Sequence, residues 1–437
     1  MVSDFTAAEK FDRYRKSDRY GGINVLTKDN IFMKCNSAFM ASKLYSSLSS
    51  KVKIRRIFNS DAMYYIHPKE MKQDEYRLNL LIPNFGKEYV FAGISAAIKF
   101  MLKFAEITGW DSRVIIVGGE RYNEKTATTI DGYIHNGEKN GIFFLGEDLK
   151  IPVGSKDIFI ATSWVTAYSI QKTISWQEKI YGGERNDLIY LIQDFEPGFY
   201  PWSSEYVLAE ETYHAYADHT VAIFNSRELH TYFKNLGYSF KIEKDFRPVL
   251  NTGLKDILIS KKEVVKERKI LIYGRPGSDR NAFDIVRQAL RIWDRHYADS
   301  KNWKILSLGE KFDDITLKNN KIHCEGKVTL DEYADEMFRT YAGISLMVSP
   351  HPSYPPLEMS AFGIKTITNR YANKDLSYFN PNIVSLDRCM PEQIAKKLME
   401  ICNDYNAEPV QLKYTQEYMD NNDIPDLISE IYDEEWK

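Results

Sequence analysis

From Arg77 onward the chain alternates short, apolar runs with amphipathic stretches, and the alternation comes in two series. In the first series RLNLLIP, SRVIIVGG, DIFIATSW (Asp157–Trp164), LIYLIQDFEP (Leu188–Pro197) and HTVAIFNS read as strands. Strands apolar along their whole length suit parallel sheets covered on both faces. Between them, Ile94, Ala97, Ile98, Met101, Leu102 and Ala105 recur at spacings of three and four, which predicts a helix over Ile94–Thr108 ending at Gly109. A further helix is expected near Ser204–Tyr216. The second series opens with KILIYGRPGSDRNAFDIVRQALRIW, a strand, a tight turn and an amphipathic helix. WKILSLGE, KIHCEGKV, AGISLMVSP and KTITN supply its later strands, and a helix is expected around Pro391–Cys402. Strand–helix alternation selects an α/β fold with parallel sheets and right-handed crossovers. Periodicity falters after Gly237 and charges crowd the chain, so the crossing between domains is expected near 245–268. The expected division is a first doubly wound domain over 1–245, a second over 246–410, and an acidic helical tail over 411–437 that packs back on the first. Residues 1–75 read as irregular, with helical stretches near Ala7–Tyr20 and Asn36–Leu48 and no strand pattern.

Length and composition narrow the class. A chain of 437 residues exceeds one ordinary core, and 43% hydrophobic with 27% charged residues is a globular balance. No apolar run approaches the ~18 residues of a membrane span. The charged start, MVSDFTAAEKFDRYRK, lacks the apolar core of a signal peptide, so a cytoplasmic protein is expected. Cys35, Cys324, Cys389 and Cys402 are scattered and read as reduced thiols. Residues 1–72 hold 14 Lys and Arg against 7 Asp and Glu, whereas residues 411–437 hold 2 against 8. The basic lobe leaves open a peripheral contact with anionic lipid, although such asymmetry is more often just solvated surface. A pI near 6.3 without a basic stripe argues against nucleic acid. The sequence has no H-E-x-x-H, G-x-S-x-G, Walker or G-x-G-x-x-G pattern, so metalloproteases, hydrolases of that kind, P-loop kinases and ordinary dehydrogenases fall away.

Four segments carry chemistry. The stretch Ser349–Asn369, SPHPSYPPLEMSAFGIKTITN, reads as an extended loop, a short helix opened by prolines and closed by Gly363, and a strand. That reading puts Glu358 in the helix's first turn, beside backbone N–H groups that hold an anion, although the acid could simply stabilise the helix dipole. A carboxylate next to a phosphate-binding helix end suits a nucleotide. Around Tyr273–Asn281 a strand runs through Gly274 into a tight turn with Arg275 and Arg280, and forked guanidinium groups suit a diphosphate. Surface pairing is the plain alternative for those arginines. Gly93 opens the first-domain helix and permits close approach of a ligand to the backbone, though helix packing explains it too. Gln193–Trp202, QDFEPGFYPW, sets Asp194, Glu196 and four aromatic rings in a loop at a strand end, and packing alone would require partners for both acids.

The chain resembles a glycosyltransferase of the two-Rossmann-domain GT-B type, within the large retaining family 4, and most closely the bacterial rhamnosyltransferases of the WsaF type that build S-layer and cell-surface glycans. The likeness rests on IATSWVTAY (160–168), YLIQDFEPGFYPWSSEY (190–206), YGRPGSDRNAF (273–283) and SPHPSYPPLEMSAFG (349–363), and it extends over most of residues 77–410. The resemblance implies that Arg275 and Arg280 face the donor diphosphate. Glu358 matches the second acid of the family's E-x7-E motif, which holds the nucleotide ribose. Glu325–Val328 matches the strand end that binds the base, with Lys327 near base or phosphate and Val328 beside it. Ser353 and Tyr354 match the loop lying against diphosphate and sugar, and Gly93 matches the glycine loop that approaches the sugar-phosphate from across the cleft. One position departs: Pro350 stands where many members have their first acid, which normally contacts sugar hydroxyls.

The implied activity is transfer of L-rhamnose from dTDP-β-L-rhamnose to a hydroxyl of a growing glycan, with retention. No metal or other cofactor is expected, since arginines and helix-start amides can stabilise the leaving diphosphate. A 6-deoxy donor tolerates the missing acid at Pro350. Asp194 and Glu196 are the candidates for orienting acceptor or donor sugar, with neither assigned as base. The partners are then a nucleotide-sugar donor and a glycan acceptor, lipid-linked or free, for a monomer or homodimer. Alternatives are a hexosyltransferase or epimerase using a UDP- or GDP-sugar, or a non-catalytic sugar-binding protein on the same fold.

Overall fold

The structure is a computed structural model that describes residues 66–72, 75–82, 92–116, 141–144, 150–419 and 423–437. The helices expected at Ala7–Tyr20 and Asn36–Leu48, and most of the basic amino-terminal segment, lie outside the described residues. The described part belongs to one compact unit, Tyr64–Lys437.

The first domain runs β1 (His67–Glu70), β2 (Arg77–Ile82), α1 (Ala92–Thr108), β3 (Asp111–Ile116), β4 (Gly141–Phe144), β5 (Lys150–Val153), β6 (Asp157–Ala161), α2 (Trp164–Tyr181), β7 (Leu188–Ile192), α3 (Ser204–His214), β8 (Thr220–Phe224), α4 (Arg227–Leu236) and β9 (Ile242–Asp245). Seven strands form one sheet in the order β4-β3-β2-β6-β7-β8-β9, every pairing parallel. Alternate residues of each strand enter opposite cores. Leu78, Leu80 and Ile82 join α1 on one face, while Leu81 and Ile115 join the core around α2 on the other. Each such side chain, withdrawn from water, stabilises the fold by about 1.5–3 kcal/mol. One expectation is corrected at the start: the segment read as strandless holds β1, which pairs in parallel with β5. Another is corrected at Trp164, read as strand. The strand stops at Ala161 because Ser163 and Thr166 form a reciprocal capping box, which starts α2 at Trp164.

The second domain follows as α5 (Thr252–Ile259), β10 (Glu263–Val265), β11 (Glu267–Gly274), α6 (Phe283–His296), β12 (Lys304–Gly309), β13 (Ile315–Thr316), β14 (Lys321–Gly326), α7 (Leu330–Arg339), β15 (Thr340–Ile344), α8 (Tyr354–Ala361), β16 (Lys365–Asn369), β17 (Ile383–Leu386), α9 (Pro391–Asn403) and β18 (Pro409–Gln411). Its sheet order is β13-β14-β12-β11-β15-β16-β17, parallel except for the edge strand β13. The weakly patterned crossing contains the helix α5, whose Leu254 and Leu258 are buried in the second domain's core.

After β18 the chain returns to the first domain as α10 (Asp423–Glu435). Leu427, Ile428 and Ile431 are buried in the same core as Leu78 and Phe104. Trp436 packs edge-on against Trp110 and Phe104, with centroids at 5.5 and 5.8 Å. The helix's acids meet Lys244 at 3.0 Å (Glu430) and 2.8 Å (Glu434). Exposed pairs of that kind contribute at most about 1 kcal/mol each, so the apolar face holds the helix. Ile428→Ala should therefore destabilise the first domain by about 2–5 kcal/mol. Denaturant unfolding followed by the fluorescence of Trp110 and Trp436 would measure this. An unchanged midpoint would mean the tail is not part of that core.

Candidate functional site

In each sheet the strand order reverses once, between β2 and β6 in the first and between β11 and β15 in the second. Open α/β sheets bind ligands outside the carboxyl ends of their strands at such reversals. The second reversal is where β11 ends at Gly274 and β15 leads into the loop before α8. Gly274 is required by packing: a Cβ there would lie 2.3 Å from Ser307 Oγ and 3.1 Å from the Phe283 ring. The chain can thus turn tightly from Gly274 into Arg275 without a side chain forcing β12 and α6 apart.

The two domains meet at these edges. Asp194, buried just past β7, accepts hydrogen bonds from Arg280 Nη1 and Ser349 Oγ of the second domain, and from the Phe195 N–H at 2.9 Å. The Arg280 guanidinium also lies over the Phe199 ring, 4.5 Å from its centroid. Away from this point, the Asn373 amide donates to the carbonyl of Glu228 at 2.9 Å, and the Tyr378 hydroxyl binds the Glu228 carboxylate. Glu196 points elsewhere. Its Oε2 accepts the N–H of Trp164, the first residue of α2, and a longer contact from the Tyr190 hydroxyl at 3.4 Å. Burial pushes its pKa up to about 8, against the lowering effect of the Trp164 N–H. Of the two acids proposed for sugar contact, one holds the domains together and the other closes a helix end.

Arg275, Arg280 and Glu358 all act electrostatically on one phenol, that of Tyr273, with Arg275 also hydrogen-bonded to it. Burial raises the pKa of Tyr273, Arg275 and Arg280 act to lower it, and Glu358 acts to raise it. Glu358 lies in the second turn of α8, not the first, because Tyr354 already begins the helix. Pro355 and Pro356 also remove two N–H donors from that first turn, so its amides make a poorer anion cradle than the spacing suggested. Glu358 Oε2 instead accepts from the Tyr333 hydroxyl at 3.0 Å, and burial pushes the acid up to about 7. Lys327 is exposed just past β14, and Val328 packs on the core that also takes in Leu357 of α8. Gly93, in the first turn of α1, sits against the Gln193 side chain: a Cβ there would lie 1.9 Å from Gln193 Oε1.

The loop entering α8 is pinned from several sides. Arg280 O accepts the Val348 N–H at 2.7 Å, and Asn369 bonds both N–H and C=O of Met347, at 2.7 and 2.9 Å. Lys374, wholly buried, donates to Met347 O at 2.7 Å and His351 O at 3.4 Å, and burial brings its pKa down to about 7. Ser353 is held at φ 68°, ψ 139°, a region costly for a residue with a Cβ by on the order of 1–3 kcal/mol. Its N–H donates to His351 Nδ1 at 3.0 Å. The neighbouring Tyr354 ring is 5.7 Å from the His351 ring. Sequence reasoning reached Arg275, Arg280, Ser353, Tyr354 and Glu358 but passed over Tyr333, His351 and Lys374. Tyr333 and Lys374 reach the site from outside that loop, 25 and 27 positions from their partners Glu358 and Met347, whereas His351 stands inside the loop itself and was legible there.

An ionised Glu358 is costly in this setting. Its carboxyl titrates near 7 in the fold and near 4.5 when free, so ionisation works against folding from about pH 4.5 upward and most strongly above 7. Glu358→Gln should raise the melting temperature at pH 8 by roughly 2–4 °C and leave it unchanged at pH 4. Thermal melts at the two pH values check this, and no gain at pH 8 would mean the acid is at ease where it sits.

Comparison with known proteins places this geometry. Residues 77–227 match the description "WsaF, N-terminal domain" and residues 268–399 match "WsaF, C-terminal domain". The O-antigen biosynthesis protein RfbC of Myxococcus xanthus is 26% identical over 216 residues, 49% of this chain, and the match spans 15% of that protein's length. Among solved structures, HepE of Anabaena, determined with UDP and glucose, superposes with a TM-score of 0.54 at 11% identity, over 82% of this chain and 99% of its own. TarM gives 0.51 at 7% identity, over 76% and 92%. The architecture is that of GT-B glycosyltransferases, two doubly wound domains facing across their strand ends. With both domains matched in order, the chain belongs to the WsaF family.

Proposed function

We propose that this protein is a glycosyltransferase that moves L-rhamnose from dTDP-β-L-rhamnose to a hydroxyl of a growing cell-surface glycan, with retention and without a metal ion. The observation that carries the reading is the convergence of Arg275, Arg280 and Glu358 at the second domain's reversal, across from Asp194. Two guanidinium groups suit a departing diphosphate, whose charge grows as the anomeric C–O bond breaks. Glu358, ionised above about pH 7, suits the ribose hydroxyls. The acceptor oxygen bonds to the anomeric carbon on the face the diphosphate leaves, and the acceptor proton passes to a diphosphate oxygen. Arg280 is bound by Asp194 of the first domain. Its exchange onto the diphosphate links donor binding to movement of the domains. Pro350, in place of an acid, favours a 6-deoxy sugar with one hydroxyl fewer to bind.

The acceptor side of the cleft is aromatic. From Phe199, under Arg280, the wall continues through Tyr200, whose hydroxyl accepts from Trp164 Nε1 at 2.9 Å, to Trp202, which is 95% exposed. Trp202, Tyr206 and Val207 line a recess of about 760 Å³. The exposed indole of Trp202 suits the apolar face of an acceptor sugar ring. A peripheral contact with anionic membrane and a lipid-linked acceptor belong to the same reading.

Thermal-shift screening against dTDP, UDP, GDP and ADP, then product analysis with the matching nucleotide sugars, tests the donor. Stabilisation by dTDP and transfer of rhamnose in EDTA are expected. A preference for UDP, or a strict need for added Mg²⁺, would replace the donor or the metal-free scheme. Arg275→Ala should lower turnover by roughly 10²-fold or more. Trp202→Ala should instead raise the acceptor KM several-fold and leave dTDP affinity alone. Steady-state kinetics with calorimetry separates the two effects, and identical phenotypes would dissolve the division into donor and acceptor walls.

A further inference from the structure

His351 is buried, with 8% of its surface exposed, and lies in the loop between β15 and α8. Its hydrogen bonding fixes more than its position. The Ser353 backbone N–H can only donate, so the His351 Nδ1 it meets at 3.0 Å must be the bare, accepting nitrogen. The ring proton of the neutral imidazole therefore sits on Nε2. Burial pushes the ring's pKa down to about 4, Asp194 opposes this, and Arg280 and Lys374 reinforce it, so the ring is neutral at pH 7. Nε2 is buried and has no hydrogen-bond partner among the described residues. Leaving a donor N–H unpaired inside a protein is costly, and native structures keep few such groups.

The surrounding chain holds the ring in that state. The His351 N–H donates to Ser349 Oγ at 3.0 Å, and the same oxygen reaches Asp194. Lys374 holds the His351 carbonyl, and Ser353 keeps a costly backbone angle while its N–H engages Nδ1. Of the charged groups acting on the ring, Arg280 is a cation, Asp194 is an anion already bound to Arg280, and Lys374 is an amine whose pKa burial brings down to about 7. The place thus offers donors and positive charge, and the one group that has settled there is a carboxylate. A neutral N–H adds a donor without repelling Arg280.

We propose that the His351 Nε2–H donates a hydrogen bond to a diphosphate oxygen of the sugar donor, and that with Arg280 it forms an anion subsite. His351 is a binding and positioning residue, and the role rests on the nucleotide-sugar reading above.

Inorganic pyrophosphate is the probe, because it carries the anion without base or sugar. In protein labelled with ¹⁵N-histidine, one buried ring should show the proton on Nε2, and that signal should move as pyrophosphate is added. By calorimetry, His351→Ala should weaken pyrophosphate and dTDP binding by about tenfold to hundredfold, the usual effect of losing a hydrogen bond to a charged acceptor. His351→Gln, with a donor at a similar reach, should recover part of it. Thymidine binding should match wild type in both variants, which reports that the fold and base site are intact. If the alanine variant misfolds, the wild-type ¹⁵N titration decides alone. A motionless Nε2 signal at saturating pyrophosphate, or unchanged pyrophosphate affinity in His351→Ala, overturns the role and leaves the glycosyltransferase reading standing. A wild-type protein that binds neither pyrophosphate nor any nucleoside diphosphate overturns both.

Discussion

The contact between Asp194 and the pair Arg280 and Ser349 is the interaction on which the arrangement turns. It joins the carboxyl edges of two sheets that otherwise have separate cores, and it does so where each chain segment has just left a buried strand. A buried acid needs compensation, and here both side-chain partners come from the opposite domain, beside the Phe195 N–H of its own. The contact orients the Arg280 guanidinium over Phe199, and Arg280 in turn fixes the loop after β15 through its carbonyl and the Val348 N–H. One ion pair therefore sets the cleft, the arginine and the loop carrying His351.

Around that pair the protein keeps titratable groups away from their ordinary charge. Burial lifts Glu196 and Glu358 and depresses His351 and Lys374. A second buried amine, Lys266, donates to the carbonyls of Met337 and Phe362, at the ends of α7 and α8, and far from the cleft it reads as structural. The shifts near the cleft include one of another kind, that of His351, whose buried Nε2 has no hydrogen-bond partner among the described residues. Strain at Ser353 belongs with it, since costly conformations and unpaired donors gather where a ligand completes the structure.

Much of the architecture was legible along the chain. Uniformly apolar strands such as Leu188–Ile192 can be buried on both faces in a parallel sheet, and Ile94–Thr108 carries a helical stripe strong enough to set its own boundaries within two residues. β1 escaped notice because a four-residue edge strand, mostly exposed, has no apolar period to read. At Trp164 a strand was expected because the capping box of Ser163 and Thr166 lies inside an apolar stretch. Glu358 was placed one turn early because the prolines look like a helix start, whereas the helix begins at Tyr354.

By itself the sequence determined two doubly wound domains, the segments that would lie at their strand ends, and the arginines and glutamate available there, because strand burial, helix period and turn chemistry are local properties. Only the tertiary structure decided which of those groups meet. That Asp194 grips Arg280 and Ser349, and that Tyr333 rather than a helix end holds Glu358, follow from contacts between residues up to 155 positions apart, which no spacing along the chain encodes, and only the packing around the His351 ring leaves its Nε2 without a partner among the described residues.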